Sequence, residues 1–357
     1  MTPHPDPAKN NGGTPRGGDG DRTGRRAVLV TGGAGFIGSH LVRSLVSQGL
    51  RVTVVDNLST GRLENLADLR DNQSLTFIEA DLTDALRDGA LGSGYAEIYH
   101  LAAAVGVDFV MNDPIRAIEI NVEQAAPLFR YASNNGAPPV FVASSSEVYG
   151  KPTTELFCED DDAVYGATTT RRWSYALSKA LDEHLALAYH ESGRCPAVVG
   201  RFFNTVGPRQ VGTHGMVLPR FVRSALAGEP LRVFGDGTQS RCFCDVRDVV
   251  SVVPALVRND ACHGRVFNIG SDVPISIAEL AGVVTRTLGS GSEIELIPYS
   301  DAYPKGYEDL RQRQPDLSRV REAVGFEPKI TLEQTITDLA DDIRGGGQPA
   351  AAQGATR

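Results

Sequence analysis

Residues 28–41 read Val-Leu-Val-Thr-Gly-Gly-Ala-Gly-Phe-Ile-Gly-Ser-His-Leu, and this stretch decides the fold. The apolar, β-branched run over residues 27–30 is typical of a buried strand, and an amphipathic helix is predicted after the glycines. Gly32, Gly35 and Gly38 allow a tight turn, close approach of the backbone to a pyrophosphate, and close packing of helix on strand. The free N–H groups and positive end of the helix then face the phosphates. The stretch therefore predicts the first strand–turn–helix unit of a dinucleotide-binding fold.

A second strand is predicted over residues 51–55, and it ends at Asp56. This is close to the distance at which an acidic residue meets the adenosine ribose in such folds. A carboxylate there accepts hydrogen bonds from two ribose hydroxyls and repels a 2′-phosphate. The sequence therefore favours NAD over NADP.

Predicted strands and helices alternate through the first half of the chain, which is typical of βαβ units and a parallel sheet. Further strands are expected over 75–79, 97–101, 140–143 and 197–203, and helices over 114–134 and 173–190. We expect an α/β fold, a doubly wound parallel (Rossmann) sheet with a smaller C-terminal substrate-binding lobe. The expected division is a disordered extension 1–26, an NAD-binding domain 27–203 to which 236–273 return, a substrate lobe of 204–235 and 274–344, and a flexible tail 345–357.

Composition limits the possible partners and compartments. The chain has 357 residues and a net charge of −9, with no basic run, which argues against nucleic acid as a partner. The odd number of cysteines, five, without paired CxxC units favours free thiols in a reducing compartment. We find no signal-peptide core and no apolar stretch long enough for a bilayer, so the cytoplasm is expected, without membrane association. The histidines show no metal-binding spacing, and no metal site is predicted.

The carboxyl ends of the predicted strands supply further candidate cofactor contacts. Asp81 and Leu82 follow the third strand, where a side chain can meet adenine. The small residues Ala102 to Ala104 follow the fourth strand, where they let a cofactor lie against the backbone or simply pack helix against sheet.

Tyr175 and Lys179 are the candidate chemical groups, because residues four apart share a helix face. An ammonium beside a phenol favours the phenolate and lowers its pKa towards neutrality, and a positively charged nicotinamide acts in the same direction. Such a tyrosine can remove a hydroxyl proton while hydride leaves the attached carbon. Ser145 and Ser146, at the end of the fifth strand, can hydrogen-bond the same hydroxyl. The predicted cofactor contacts are Gly32, Gly35, Phe36, Ile37, Gly38, Asp56, Asn57, Asp81, Leu82, Leu101, Ala102, Ala103, Asn121, Tyr175 and Lys179.

The combined motifs resemble those of the extended short-chain dehydrogenase/reductases. They are Thr31-Gly-x-x-Gly-x-x-Gly38, Asp56, Tyr175-x-x-x-Lys179 and Arg201-Phe-Phe-Asn-Thr-Val-Gly-Pro208. Within that group they resemble the NAD-dependent nucleotide-sugar epimerases, dehydratases and decarboxylases. The resemblance implies a homodimer built through the helices near 114–134 and 174–190, and oxidation of the sugar at C4 to a keto intermediate.

The residues that face C5 and C6 of the sugar decide the outcome of that intermediate. Dehydratases carry Asp-Glu where this chain has Ser146-Glu147, whereas UDP-glucuronate decarboxylases carry a similar Thr-Ser-Glu. The stretch 172–179 points to the same decarboxylases. The stretches 305–315 and 325–330 resemble a bacterial decarboxylase of lipid modification, and this resemblance implies a place for Arg313 near C5 and C6. A guanidinium there can bind a carboxylate.

Some of these residues have simpler interpretations. Glu147 could be a structural carboxylate, and Arg313 could instead grip the diphosphate, as the resemblance implies for Arg241. Asn204 is expected to bond a phosphate or sugar oxygen, although an Asn in a loop is often a turn former.

The sequence predicts an NAD-dependent enzyme that decarboxylates a UDP-glucuronate-like nucleotide sugar. The alternatives are dehydration with Glu147 as C5 base, by 4,6- or 5,6-elimination, and C4 epimerisation. A non-catalytic NAD sensor or scaffold is a further alternative, which the Tyr175–Lys179 pair disfavours. The predicted catalytic residues are Tyr175, Lys179, Ser145, Ser146, Glu147 and Arg313, and the predicted substrate-binding residues are Asn204, Arg241 and Arg313.

Overall fold

The computed structural model describes residues 26–103, 113–151, 154–212, 216–298 and 311–346. The predicted extension up to residue 25, Ala104, the first part of the 305–315 motif and the tail after 346 lie outside these ranges. The strands are β1 (Ala27–Thr31), β2 (Arg51–Asp56), β3 (Leu75–Glu79), β4 (Glu97–His100), β5 (Val140–Ser145), β6 (Ala197–Phe202), β7 (Thr205–Val206), β8 (Leu231–Phe234), β9 (Ser240–Cys242), β10 (Cys244–Asp245), β11 (Arg265–Ile269), β12 (Pro274–Ser276) and β13 (Ile294–Ile297).

The α-helices lie between and after these strands, and none of those described is long and apolar enough to cross a membrane. They are α1 (Phe36–Ser47), α2 (Leu82–Arg87), α3 (Pro114–Asn134), α4 (Trp173–Glu191), α5 (Val217–Ala227), α6 (Val246–Val257), α7 (Ile277–Leu288), α8 (Ser318–Val324) and α9 (Leu332–Arg344). Short 3₁₀ turns cover Leu63–Leu69, Ser146–Tyr149 and Asp260–Cys262.

The central sheet has the strand order β3-β2-β1-β4-β5-β6-β11, and every neighbouring pair is parallel. Val30 of β1 pairs with Val54 on one side and with Tyr99 on the other. The chain therefore winds outward in both directions from β1, which confirms the predicted doubly wound fold. The carboxyl ends of β1 and β4 meet where the winding reverses, and ligands bind at such a point.

Apolar side chains cover the sheet on both faces. One cluster joins α1 and α6 to the sheet, with Leu41 and Val253 among its buried members. The other joins α3 and α4, with Phe129 and Ala186 among its members. The sheet is thus a middle layer between two layers of helix, as its near-continuous apolar strands require.

Local signals set the ends of several helices. Asp113 accepts a hydrogen bond from the backbone N–H of Arg116 at the start of α3, and Pro114 occupies the first turn. Ser276 and Glu279 form a reciprocal capping box at the start of α7. The predicted bounds 114–134 agree with those of α3. The helices α5 and α6 were not predicted. α6 is rich in valine and buried on most sides, so its exposed stripe is narrow, with Arg247, Ser251 and Ala255 at a spacing of four.

A smaller lobe has its own apolar core, formed by α5, β8, α7 and α9. Phe221, Leu280 and Leu339 are among its fully buried residues. The helix α8 lies elsewhere, because Val320 packs in the α1–α6 cluster of the sheet together with Leu317. Part of the segment 274–344 that we assigned to the lobe therefore packs with the sheet domain.

Candidate active site

One cleft runs along the carboxyl ends of the sheet strands and into the smaller lobe. Of the described α3 residues, Ile120 and Gln124 line this cleft, whereas the predicted contact Asn121 is buried on α3 without lining it. The other predicted site residues all line the cleft: Gly32, Gly35, Phe36, Ile37, Gly38, Asp56, Asn57, Asp81, Leu82, Leu101, Ala102, Ala103, Ser145, Ser146, Glu147, Tyr175, Lys179, Asn204, Arg241 and Arg313.

The glycine turn after β1 leaves no room for side chains. A Cβ on Gly32, whose φ is +70°, would lie 2.7 Å from the backbone N of Ala102, and one on Gly38 would lie 2.1 Å from the backbone O of Gly32. Gly35 caps α1 without a side-chain hydrogen bond, and the first turn of α1 has no acidic residue. The N–H groups and positive end of α1 thus face the cleft at a glycine surface, which fits a pyrophosphate.

Asp56 lies at the end of β2, where backbone amides fix its carboxylate. Oδ2 accepts from the N–H of Ala34 at 2.9 Å, and Oδ1 accepts from that of Leu58 at 2.8 Å. Burial raises the pKa of Asp56 above its usual range. Close by, the side-chain amide of Asn57 donates to Asp81 Oδ1 at 2.7 Å. Both carboxylates therefore lie in the cleft where a ribose and an adenine would follow the pyrophosphate.

Tyr175 lies in the first turn of α4 and packs against Ala117 and Ile120 of α3. Burial raises the pKa of Tyr175, and the ammonium of Lys179 and a hydrogen bond from Ser145 oppose this without cancelling it. The pKa of Tyr175 is therefore raised, whereas the sequence predicted that it would be lowered. Burial is the reason, because the free-energy cost of removing a phenolate from water exceeds the stabilisation that the ammonium of Lys179 provides. A positive charge in addition to that of Lys179 is therefore needed beside the phenol for phenolate to form near neutral pH.

The ammonium of Lys179 is buried and donates to Asp182 Oδ2 at 3.0 Å. Burial lowers the pKa of Lys179, but the carboxylate of Asp182 outweighs this effect and leaves the pKa raised. His100 lies beside this pair, and burial together with the charge of Lys179 lowers its pKa to about 3. Lys179 is therefore charged and His100 neutral at physiological pH.

Glu147 lies in the 3₁₀ turn after β5, opposite two guanidinium groups. Its Oε1 accepts from Arg313 Nη1 at 2.5 Å, and its Oε2 lies 3.6 Å from Arg172 Nη2. Burial raises the pKa of Glu147, but Arg313 and Arg172 lower it by more, so the net pKa is below its usual range. Glu147 is therefore ionised at neutral pH, and guanidinium groups such as these two can hold an anionic group of a ligand.

Backbone hydrogen bonds hold the segment that carries Arg313. The N–H of Ser240 donates to the carbonyl of Arg311 at 2.9 Å, and that of Phe157 donates to the carbonyl of Gln314 at 2.9 Å. Arg313 itself is buried between these two anchors. These backbone hydrogen bonds thus hold Arg313 beside Glu147, although the two residues are 166 positions apart in the sequence.

The substrate end of the cleft is formed with the smaller lobe. Asn204 donates from its side-chain amide to the carbonyl of Cys242 at 3.0 Å, and Arg241 donates to the carbonyl of Ser240 at 2.7 Å. Asn204 therefore fixes the chain locally as well as lining the cleft. Cleft-lining residues that the sequence did not single out include Gln124, Arg172, Arg220, Phe234, Gln239 and Phe243.

Behind the cleft, a buried polar network joins β5, α4 and β6. Ser144 Oγ donates to Glu183 Oε1 at 2.5 Å, and Arg201 forms two hydrogen bonds to Glu183 with Nε and Nη2. The Arg201 guanidinium also stacks 4.5 Å from the ring centre of Tyr149. The motif residue Arg201 is therefore structural, since it ties β6 to the helix that carries Tyr175.

Within the described ranges, no group of three His, Cys, Asp or Glu residues is placed to hold a metal ion. The described cysteines Cys158, Cys195, Cys242, Cys244 and Cys262 form no disulfide.

Comparison with known proteins gives the family. Residues 28–270 match the model of the NAD-dependent epimerase/dehydratase family. The chain is 39% identical over 321 residues to the UDP-N-acetyl-alpha-D-glucosaminuronate decarboxylase of Bacillus cytotoxicus, covering 90% of this chain and 98% of the relative. It is 34% identical over 339 residues to UDP-glucuronic acid decarboxylase 1 of Arabidopsis thaliana, covering 92% of this chain and 74% of that relative.

A solved structure has the same architecture. The UDP-glucose 4-epimerase of Thermus thermophilus in complex with NAD superposes with a TM-score of 0.74 at 28% identity, covering 89% of this chain and 99% of that one. The uncapped end of α1, the crowded glycine turn and the ionisable Asp56 fit the same cofactor. The chain is an NAD-dependent enzyme and belongs to the NAD-dependent epimerase/dehydratase family.

Proposed function

We propose that this enzyme decarboxylates a UDP-linked uronic acid through a C4-keto intermediate. The observation that carries the proposal is the Glu147 carboxylate held between Arg313 and Arg172 in the cleft. Guanidinium groups bind carboxylates in charge-assisted pairs, and a uronic acid carries a carboxylate at C6. The decarboxylase names of the relatives at 39% and 34% identity point to the same substrate class.

Tyr175 and Lys179 are proposed to act at the sugar C4. The predicted cofactor contacts would hold NAD, which would supply the hydride acceptor and, through its positive nicotinamide, a further positive charge beside the phenol. The Tyr175 phenolate then takes the proton of the C4 hydroxyl, while Ser145 fixes the phenol by a hydrogen bond. Lys179 keeps its proton and stabilises the phenolate.

Oxidation at C4 makes the uronic acid a β-keto acid. Loss of carbon dioxide breaks the C5–C6 bond and leaves its electron pair as an enolate across C4 and C5. Arg313 holds the carboxylate before this step, and C5 takes up a proton from water afterwards. Ionised Glu147 orients Arg313 by the 2.5 Å hydrogen bond. In the last step Tyr175 would return its proton to the C4 oxygen, while bound cofactor would supply the hydride for C4.

The remaining assignments place the nucleotide. Arg241 is proposed to bind the diphosphate and Asn204 an oxygen of the sugar or phosphate, while the cofactor contacts are those already given. The position of Arg241 in the cleft, close enough to Glu147 to lower its pKa, supports this placement.

The direct test is release of carbon dioxide. Purified enzyme with NAD is mixed with UDP-glucuronate or with UDP-N-acetylglucosaminuronate, each labelled at C6, and gas and sugar products are measured. We expect labelled carbon dioxide and a UDP-pentose from one of the two. Interconversion of UDP-glucose and UDP-galactose without gas would identify an epimerase and contradict the proposal. Loss of water from a UDP-hexose would identify a dehydratase with ionised Glu147 as C5 base.

We also propose a cytoplasmic homodimer. The free cysteines fit a reducing compartment. Exposed apolar side chains form a stripe along α3 and α4, which pack side by side, and such a stripe fits a second copy of the same two helices. Its members are Ile115, Ile118, Val122, Leu177 and Leu181.

Leu181→Asp is therefore expected to convert a dimer into a monomer. Leu181 is 52% exposed on α4, so an aspartate there is tolerated by the isolated fold but is costly in an apolar interface. Analytical ultracentrifugation measures the mass at several concentrations. Leu296→Asp is the matched control, since Leu296 is 57% exposed on β13 and away from the stripe. A Leu181→Asp protein that remains dimeric would place the interface elsewhere.

A further inference from the structure

Three ionisable side chains lie in sequence along one buried face of α4. Tyr175 precedes Lys179 by four residues, and Asp182 follows Lys179 by three, so their side chains project from the same side of the helix. The Lys179–Asp182 ion pair is 3.0 Å long, and the two side chains are 3% and 4% exposed. Water and salt screen such a pair far less than an exposed pair.

The other charged groups around Lys179 are already engaged. Glu183, the next residue of α4, is bound by Arg201 and Ser144, and Glu147 is bound by Arg313. His100 of β4 is neutral, since its pKa is about 3. The charged residues of α3, which packs along α4, are exposed: Arg116, Glu119, Glu123 and Arg130. Within the described chain, Asp182 is therefore the carboxylate that balances the ammonium.

A fixed counterion has two opposite effects on the neighbouring phenol. It keeps Lys179 protonated and directed along α4, and it cancels part of the positive charge that Lys179 presents to Tyr175. The Asp182 carboxylate raises the pKa of Tyr175, whereas the Lys179 ammonium lowers it.

We propose that Asp182 is a positioning residue that fixes the ammonium of Lys179 and, through it, sets how readily Tyr175 gives up its proton. The proposal rests on Tyr175 being the base of the proposed function, but it concerns a property of α4 that can be measured without substrate.

The first test is an ultraviolet absorbance titration of phenol ionisation in the enzyme with NAD bound. Subtracting the Tyr175→Phe protein isolates Tyr175 from the other tyrosines. In Asp182→Asn, the full charge of Lys179 acts on the phenol, and we expect the pKa of Tyr175 to fall by about one unit. Asp182→Glu restores a carboxylate and should return the pKa towards that of the wild type. Should Asp182→Asn fail to fold, Asp182→Ser leaves room for water and repeats the measurement.

The second test is the pH profile of turnover. The acid limb should move to lower pH in Asp182→Asn because Tyr175 ionises more easily. The alkaline limb should also move to lower pH, because Lys179 loses the carboxylate that raises its pKa. The matched control is Asp341→Asn, which breaks an exposed ion pair of the same spacing with Arg344 and should move neither limb.

An unmoved pKa of Tyr175 in Asp182→Asn would overturn the proposal, and so would a uniform fall of turnover with both limbs in place. If the wild type does not turn over a uronic acid, the absorbance titration still gives a result. Failure of the proposed function and failure of this inference are therefore distinguishable.

Discussion

Tyr175→Phe should lower kcat about 10³-fold and leave NAD binding nearly unchanged. Phenylalanine keeps the ring that packs against Ala117 and Ile120 but removes the oxygen that takes the C4 proton. A positioned acid–base group contributes roughly 10²–10⁴-fold to rate. The phenol lines the cleft and is hydrogen-bonded by Ser145, and phenylalanine offers no group that can take its place. The measurement is turnover of the uronic acid at saturating substrate, with NAD affinity from fluorescence titration.

The matched control is Tyr165→Phe. The Tyr165 hydroxyl donates to the carbonyl of Val148 at 2.7 Å, and Tyr165 does not line the cleft as described. Loss of the Tyr165 hydroxyl should lower the free energy of unfolding slightly and lower kcat less than threefold. Wild-type turnover in Tyr175→Phe would refute the proposed base, whereas equal losses in both variants would indicate that the substitution disturbs packing rather than chemistry.

The fold was largely predictable because its signals are local. The glycine turn, Asp56 and the strands over β1 to β6 follow from patterns within a few residues of each other. α6 was not predicted because burial on most sides leaves only a narrow exposed stripe, which is a weak helical pattern. The packing of α8 with the sheet depends on contacts of Val320 that no local pattern encodes.

The site was predictable where motif and helix periodicity coincide, as for Tyr175 and Lys179. Two properties were not. The raised pKa of Tyr175 depends on how deeply α3 buries the phenol, and a helical spacing does not report depth. The second property is the contact between Arg172 and Glu147. Arg172 lies three residues before Tyr175, which predicts that it lies near the cleft, but the contact also depends on the turn after β5 that carries Glu147. The ion pair of Asp182 with Lys179 could have been predicted, because the two residues are three apart on one helix.

Arg313→Gln should lower the rate of decarboxylation at least 30-fold while leaving oxidation at C4. Glutamine keeps a hydrogen-bond donor but loses the charge that pairs with Glu147 and with the proposed substrate carboxylate. Truncating one partner of a buried charge pair typically costs about 2–5 kcal/mol, so we expect at least a 30-fold loss of carbon dioxide release. Reduced nicotinamide should accumulate, because hydride leaves C4 but the keto acid no longer proceeds. Its near-ultraviolet absorbance measures this directly.

Arg311→Gln is the matched control, two residues away on the same segment. The Arg311 side chain is exposed, and the hydrogen bond that Ser240 donates to residue 311 uses the backbone carbonyl, which the substitution keeps. Decarboxylation should therefore stay within twofold of wild type. A similar loss in both variants would show that the segment was displaced.

The same variant decides between the two interpretations of Arg313. If Arg313 binds the C6 carboxylate, Arg313→Gln weakens UDP-glucuronate binding at least tenfold but leaves UDP-xylose, which lacks C6, nearly unchanged. If Arg313 grips the diphosphate, both ligands lose affinity equally, because both carry that group. The 2.5 Å hydrogen bond to Glu147 favours the first outcome, since Glu147 lies in the turn after β5, beside Ser145 and Ser146. Calorimetric titration of the two ligands into the enzyme with NAD bound separates the outcomes, and equal weakening would move Arg313 to the diphosphate alongside Arg241.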